Sequence, residues 1–241
     1  MDMEKSSKCL IIIPAYNEAE NIEKVVNNLI NNYPQYDYII VNDGSKDDTE
    51  RICLKNKYQV LNLPINMGIG GAVQTGYCYA RDNDYDMAVQ IDGDGQHDVS
   101  FLEEMVKLIG DGQADLVIGS RFVEKEGFQS SHLRRVGIKF LSNLAWILTG
   151  VRVKDITSGY RVVNRRFIKV FADDYPSDYP EPEAIVIAAV HGGKIQEYPV
   201  VMRERENGES SITPKKSVYY MIKVTLAMLI RRLSFGVRRQ K

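Results

Sequence analysis

The sequence predicts an α/β fold, a mostly parallel sheet covered by helices on both faces. Three observations point to it. Short apolar runs alternate with amphipathic stretches over the first half of the 241 residues at about 25-residue spacing, the rhythm of strand–helix units with right-handed crossovers. Polar, turn-forming clusters follow three of the apolar runs. Apolar residues make up 44 % and charged residues 26 % of the chain, which supplies a core and argues against global disorder. The length fits one large domain, or a domain with a short appendage.

The elements follow in order. Cys9 to Ile13 is an apolar run stopped by Pro14, a buried strand. Glu18 to Ile30 has helical spacing through Ile22, Val25, Val26, Leu29 and Ile30. Tyr38 to Val41 is a strand ended by the turn Asn42-Asp43-Gly44-Ser45. A helix over Asp47–Lys55, a strand over Gln59–Leu63 and a helix over Gly71–Arg81 come next. Met87 to Ile91 is a strand running into Asp92-Gly93-Asp94-Gly95; a helix over Val99–Ile109 and a strand over Asp115–Ile118 complete the regular part. Beyond Arg121 the rhythm changes. His132–Thr149 reads as a long helix, Asp155–Arg161 as a polar loop, Asn164–Phe171 and Glu183–His191 as helices, Lys194–Val200 as a strand, Met202–Thr213 as a mobile loop and Ser217–Leu233 as a last helix. In parallel sheets ligands bind outside the carboxyl ends of the strands. The clusters at Pro14–Glu18, Asn42–Ser45 and Asp92–Gln96 therefore face one cleft.

The sharpest chemical signal is Asp92-Gly93-Asp94-Gly95-Gln96. Two carboxylates flank one small residue at a strand end, where glycines let both turn toward one cation. Hard Mg²⁺ or Mn²⁺ takes one or two protein carboxylates and completes its shell with phosphate oxygens, and it stabilises a departing diphosphate. Gln96 adds a third oxygen donor. The same residues suit a solvated acidic turn. Asp-x-Asp also occurs at Asp82/Asp84 and Asp84/Asp86, but those pairs precede their strand and lie at its amino end. Pro14 ends strand pairing, Tyr16 offers a flat face to a nucleobase, and Glu18 suits a ribose hydroxyl or the first turn of the next helix. Asp43 suits a nucleobase N–H or a type I turn. The glycines of Asn66-Met67-Gly68-Ile69-Gly70-Gly71 suit backbone approach to a phosphate or close helix packing.

Taken as an ordered set, Ile11–Glu18, Val41–Ser45, Asn66–Gly68, Asp92–Gln96 and Gly119–Phe122 resemble glycosyltransferase family 2, in particular the dolichol-phosphate mannosyltransferase and bacterial polyprenyl-phosphate glycosyltransferase branch. Asp155–Arg161 and Arg205–Ser210 resemble the same branch, so the likeness runs over about residues 8 to 213. It implies a Rossmann-like GT-A fold and an inverting transfer from a nucleotide-diphosphate sugar. It also implies roles: Pro14, Tyr16, Glu18 and Asp43 for the nucleoside; Asp92 and Asp94, with Gln96, for the metal and diphosphate; Arg121 near the phosphates; Arg205 in a loop closing on the diphosphate. Ser211 stands where the mannosyltransferases carry lysine, with Lys215 and Lys216 close behind.

Two acceptors are open. A lipid phosphate needs cations, which Arg121, Arg134 and Arg135 supply; a glycan hydroxyl needs a carboxylate base, for which Glu183 and Asp155 are the candidates. Competing readings are a sugar nucleotidylyltransferase, whose first strand should lead into a glycine-rich basic loop rather than Pro-Ala-Tyr-Asn-Glu, and an inactive membrane-docked scaffold.

A net charge of −1 disfavours a nucleic-acid partner, but the charge is uneven. From Lys215 onward there are eight Lys/Arg and no Asp/Glu, leaving −9 on the rest. Val218, Ile222, Thr225, Leu226, Leu229, Ile230 and Leu233 form a broad apolar face on that segment, with Lys216, Lys223 and Arg231 opposite. This predicts a catalytic domain over 1–213 and a basic amphipathic helix and tail over 214–241 that lies on an anionic membrane surface. Three cysteines at non-ligand spacing, no leader-like segment and no spanning run predict a cytoplasmic protein, peripheral on the inner face of the membrane, with a separate membrane-protein partner.

Overall fold

The computed structural model describes residues 7–124, 132–202 and 214–238. Its seven-stranded sheet has the order β3-β2-β1-β4-β6-β5-β7. The strands are β1 (Cys9–Ala15), β2 (Asp37–Asn42), β3 (Val60–Asn62), β4 (Met87–Gln90), β5 (Leu116–Ser120), β6 (Arg161–Asn164) and β7 (Ile195–Pro199). All run parallel except β6, which pairs antiparallel with both β4 and β5.

β1 is buried along its whole length because it lies inside a sheet covered on both sides. Alternate residues serve two cores. Leu10 and Ile12 face α3 (Gly68–Asp82), α5 (His132–Thr149), α6 (Arg165–Asp173) and α7 (Pro180–Val190). Ile11 and Ile13 face α1 (Ile22–Asn32), α2 (Thr49–Lys55) and α4 (Leu102–Gly110). Burying each such aliphatic side chain contributes roughly 1.5–3 kcal/mol. α3 lies tight on the sheet, since a Cβ at Gly76 would stand 2.3 Å from Ile12 Cγ2.

The expected strand–helix alternation holds through β5, with ends shifted by a few residues. Two elements differ. β6 occupies the end of the expected polar loop: its apolar signal is just Val162-Val163, and Arg161 sits fully buried at a position a sheet-centre strand gives to apolar residues. α7 starts three residues before the expected Glu183, because Pro180 and Pro182 lie in its first turn, where no intrahelical donor is needed.

The last helix, α8 (Pro214–Arg238), lies against α5 and α7. It runs alongside α5 from Met221, beside Gly137, to Arg232, whose Nε donates to the Leu148 carbonyl (2.8 Å). Val224 and Met228 are buried in the core, whereas Ile222, Leu226, Ile230 and Leu233 face outward. Lys223 pairs with Asp178, and Arg231 pairs with Asp174 (2.7 Å), so the cations answer acidic groups of the domain. Among the described residues no helix is long and apolar enough to cross a membrane.

Candidate active site

A cleft of about 890 Å³ opens at the carboxyl ends of β1, β2 and β4. The three polar clusters meet there: Pro14 to Asn21, Asp43, and Asp92 to Asp94 all line it. Parallel register brings them together, since β1 pairs with β2 on one side and β4 on the other. Asp82, Asp84 and Asp86 fall at the opposite edge, where Arg165 pairs with Asp84 and Asp86.

On the β1–β2 side, Tyr16 is 42 % exposed at the mouth, available for stacking. Asn17 holds a left-handed conformation (φ 57°), and its side chain accepts from Lys46 N–H (2.8 Å) while Ser45 Oγ accepts from its own N–H (3.0 Å). Glu18 Oε2 accepts from Asn21 Nδ2 (2.8 Å). Asp43 is almost wholly buried and its Oδ1 accepts from Met67 N–H (2.7 Å), which locks the turn after β2 onto the loop before α3. The first turn of α3 uses Gly70 for packing. A Cβ at Gly70 would lie 1.9 Å from the Pro176 carbonyl oxygen, and Gly70 N–H donates to Ser177 O (3.1 Å).

Asp92 is braced from several sides. Its backbone N–H donates to His97 Nδ1 (3.1 Å), and His97 Nε2 stands 3.5 Å from Asp92 Oδ2, with the imidazole stacked on Tyr160. Gln90 Nε2 donates to Asp92 Oδ1 (3.3 Å). Gly159 lets its loop touch the carboxylate, since a Cβ there would lie 3.1 Å from Oδ1 and 3.2 Å from Oδ2. Asp94 Oδ1 accepts from Gln96 N–H (3.0 Å). Gln96 thus supports Asp94 through its backbone N–H.

Among the described residues no group of three or more His, Cys, Asp or Glu is placed to hold a metal. Two carboxylates on an open cleft wall fit a hard cation that takes most of its shell from phosphate and water. They do not fit a self-contained structural site.

The family model for glycosyl transferase family 2 matches residues 10–171. The chain belongs to this family. It is a glycosyltransferase of the GT-A fold. It is 34 % identical to the UDP-N-acetylglucosamine–dolichyl-phosphate N-acetylglucosaminyltransferase of Methanococcus voltae, over 79 % of this chain and 83 % of that one. It is 29 % identical to the polyprenol monophosphomannose synthase of Mycolicibacterium smegmatis, over 91 % of this chain and 86 % of that one. These relatives bear out the resemblance to the polyprenyl-phosphate branch. In fold it is similar to the glucosyl-3-phosphoglycerate synthase of Mycobacterium tuberculosis, solved with Mn²⁺, UDP-glucose and phosphoglyceric acid: TM-score 0.72, 19 % identity, 94 % of this chain and 80 % of that one.

In this glycosyltransferase the residues expected on the acceptor side have partners within the fold. Arg121 and Asp155 form a buried fork: Nε to Oδ2 and Nη2 to Oδ1, both 2.7 Å, with Arg121 N–H also donating to Oδ2 (3.0 Å). Asp155 is 0 % exposed and engaged by Arg121. Arg121 clamps the strand end after β5 to the loop before β6 and does not line the cleft. Glu183 faces α8, where Arg231 Nε lies 3.4 Å from its Oε2. It too is absent from the cleft, and Glu181, one half-turn earlier, is present. Arg205 lies outside the described residues, as do the side chains of Lys215 and Lys216. The sequence reading missed Gly159, His97 and Glu181. Gly159 lies inside the Asp155–Arg161 motif and His97 directly follows Asp92–Gln96, whereas nothing local marks Glu181.

Proposed function

We propose that the chain is a metal-dependent, inverting glycosyltransferase that moves a sugar from a nucleotide-diphosphate donor to a polyprenyl phosphate at the cytoplasmic membrane face. The observation that carries this is the pairing of Asp92 and Asp94 at the end of β4, in one cleft with Tyr16 and Asp43. Tyr16, Pro14, Glu18 and Asp43 hold the nucleoside; Asp92 and Asp94 hold Mg²⁺ or Mn²⁺; Arg205 closes on the diphosphate. A divalent cation bound there supplies charge stabilisation to the leaving diphosphate. An acceptor phosphate oxygen forms the new bond to the anomeric carbon as the bond to the diphosphate oxygen breaks, and the nucleoside diphosphate leaves with the electron pair.

Two facts favour phosphate over a glycan hydroxyl. The two relatives named above carry dolichyl-phosphate or polyprenol in their names. Asp155 and Glu183, the carboxylates suited to take a hydroxyl proton, are engaged by Arg121 and Arg231, and a phosphate acceptor needs no base. Incubation with Mn²⁺, labelled UDP- or GDP-sugars and a polyprenyl phosphate tests this. Label moving into the organic phase is the expected result, and label moving only into an added glycan rejects it.

Residues 214–241 are the membrane-contacting segment in this proposal, set apart in role from the catalytic part over 1–213, and a separate membrane protein is the proposed anchor. Ile222, Leu226, Ile230 and Leu233 form an exposed apolar row on α8; such a row suits the headgroup–acyl boundary. Leu226→Glu with Ile230→Glu should abolish co-flotation with vesicles containing anionic lipid, and flotation equal to the wild type removes the membrane role from this face.

A further inference from the structure

Glu181 has none of the roles above. It stands in the first turn of α7 and lines the cleft beside Asp92, Gly93 and Asp94. The chain reaches this position because Gly70 admits the carbonyls of Pro176 and Ser177 against α3, and because Tyr179 turns through a left-handed conformation (φ 49°) just before Pro180. Glu183, two residues on, is occupied by Arg231. Glu181 has no hydrogen bond to another side chain among the described residues.

The buried groups around it are also short of partners. Arg161 is fully buried; its Nε donates to Ser158 O (2.8 Å) and its Nη2 to Ile156 O (3.3 Å), but Nη1 has no partner among the described residues. The hydroxyls of Tyr77 and Tyr175 are likewise unpaired. Arg161 and Asp92 both act electrostatically on Glu181, whose carboxyl pKa is raised by burial and held down in part by Arg161. Buried polar groups are normally satisfied. A carboxylate on a cleft wall, within the electrostatic reach of an under-satisfied guanidinium, marks a polar pocket that expects a hydrogen-bonding ligand.

We propose that Glu181, backed by Arg161, reads the hydroxyl pattern of the sugar being transferred. The inference rests on the donor-site reading above. With the nucleoside at Pro14, Tyr16 and Asp43 and the diphosphate at Asp92 and Asp94, the group that projects beyond the diphosphate is the sugar. Neighbouring hydroxyls of a hexose present two donors, and a carboxylate accepts both. Arg161 is a positioning residue that offsets part of the burial cost of the Glu181 carboxylate.

The test is calorimetric titration in Mn²⁺ of bare diphosphates against their sugar conjugates: UDP with UDP-glucose and UDP-N-acetylglucosamine, GDP with GDP-mannose. Glu181→Ala should weaken the sugar conjugate about 10- to 100-fold while leaving the bare diphosphate within about twofold of wild type. Glu181→Gln, which keeps one acceptor and the side-chain shape, should fall between and shift the ranking of the sugars. An equal loss on diphosphate and conjugate, or no loss on either, overturns the proposal, as does a fall in kcat with donor KM unchanged, which marks a proton acceptor. Failure of the donor-site reading looks different: the wild-type protein then binds none of the diphosphates.

Discussion

Asp92→Asn should lower glycosyl transfer by about 10³-fold with Mn²⁺ saturating, the scale on which a preorganised charge at a leaving group acts. The substitution keeps the side-chain shape, so the contacts from Gln90, Gly159 and His97 have the same volume to fill. What changes is the charge offered to a cation. Single-turnover transfer assays with matched melting temperatures check this, and activity within tenfold of wild type would place the metal elsewhere. Absence of transfer by the wild type itself would revive the scaffold reading, in which the fold persists without its chemistry.

Arg121→Ala should act on stability first. It leaves the carboxylate of Asp155, 0 % exposed, without the fork that neutralises it. Breaking a buried pair from one side costs about 3–5 kcal/mol, which for a chain of this length lowers Tm by roughly 10 °C. Arg121→Lys should restore little, since an ammonium cannot span both oxygens. The double variant Arg121→Met with Asp155→Leu should melt above either single change, because no unpaired charge remains. Thermal melts of the variants decide. If Arg121→Ala melts like wild type and loses only activity, Arg121 contacts substrate and the clamp described here is wrong.

The contrast between these two residues explains what could be read without coordinates. Asp92 follows an apolar strand directly, and position after a strand in a parallel sheet fixes the edge it occupies; Asp43 and Tyr16 were legible for the same reason. Arg121 also follows a strand, but its function depends on Asp155, a residue 34 positions away, and nothing local announces that pairing. Glu183 and Glu181 show the same limit at finer scale. Two carboxylates in one helical turn point to different sides, and which side faces the cleft is set by how α7 lies between α5 and α8. β6 was hidden because Arg161 breaks the apolar pattern of a sheet-centre strand. On α8 the amphipathic pattern was plain, but acidic Asp174 and Asp178 on the body draw Arg231 and Lys223 inward and leave an apolar row outside.

The central claim is that Asp92 and Asp94 bind a nucleoside diphosphate through a divalent cation. Calorimetric titration of UDP and of GDP, in Mn²⁺ and again in EDTA, on the wild type and on Asp94→Asn, tests it most directly. The account predicts that one of the two binds the wild type in Mn²⁺ and weakens at least about tenfold, the effect of one charge-assisted contact, when the metal or the Asp94 charge is removed. Binding of neither diphosphate, or binding indifferent to both changes, would contradict it.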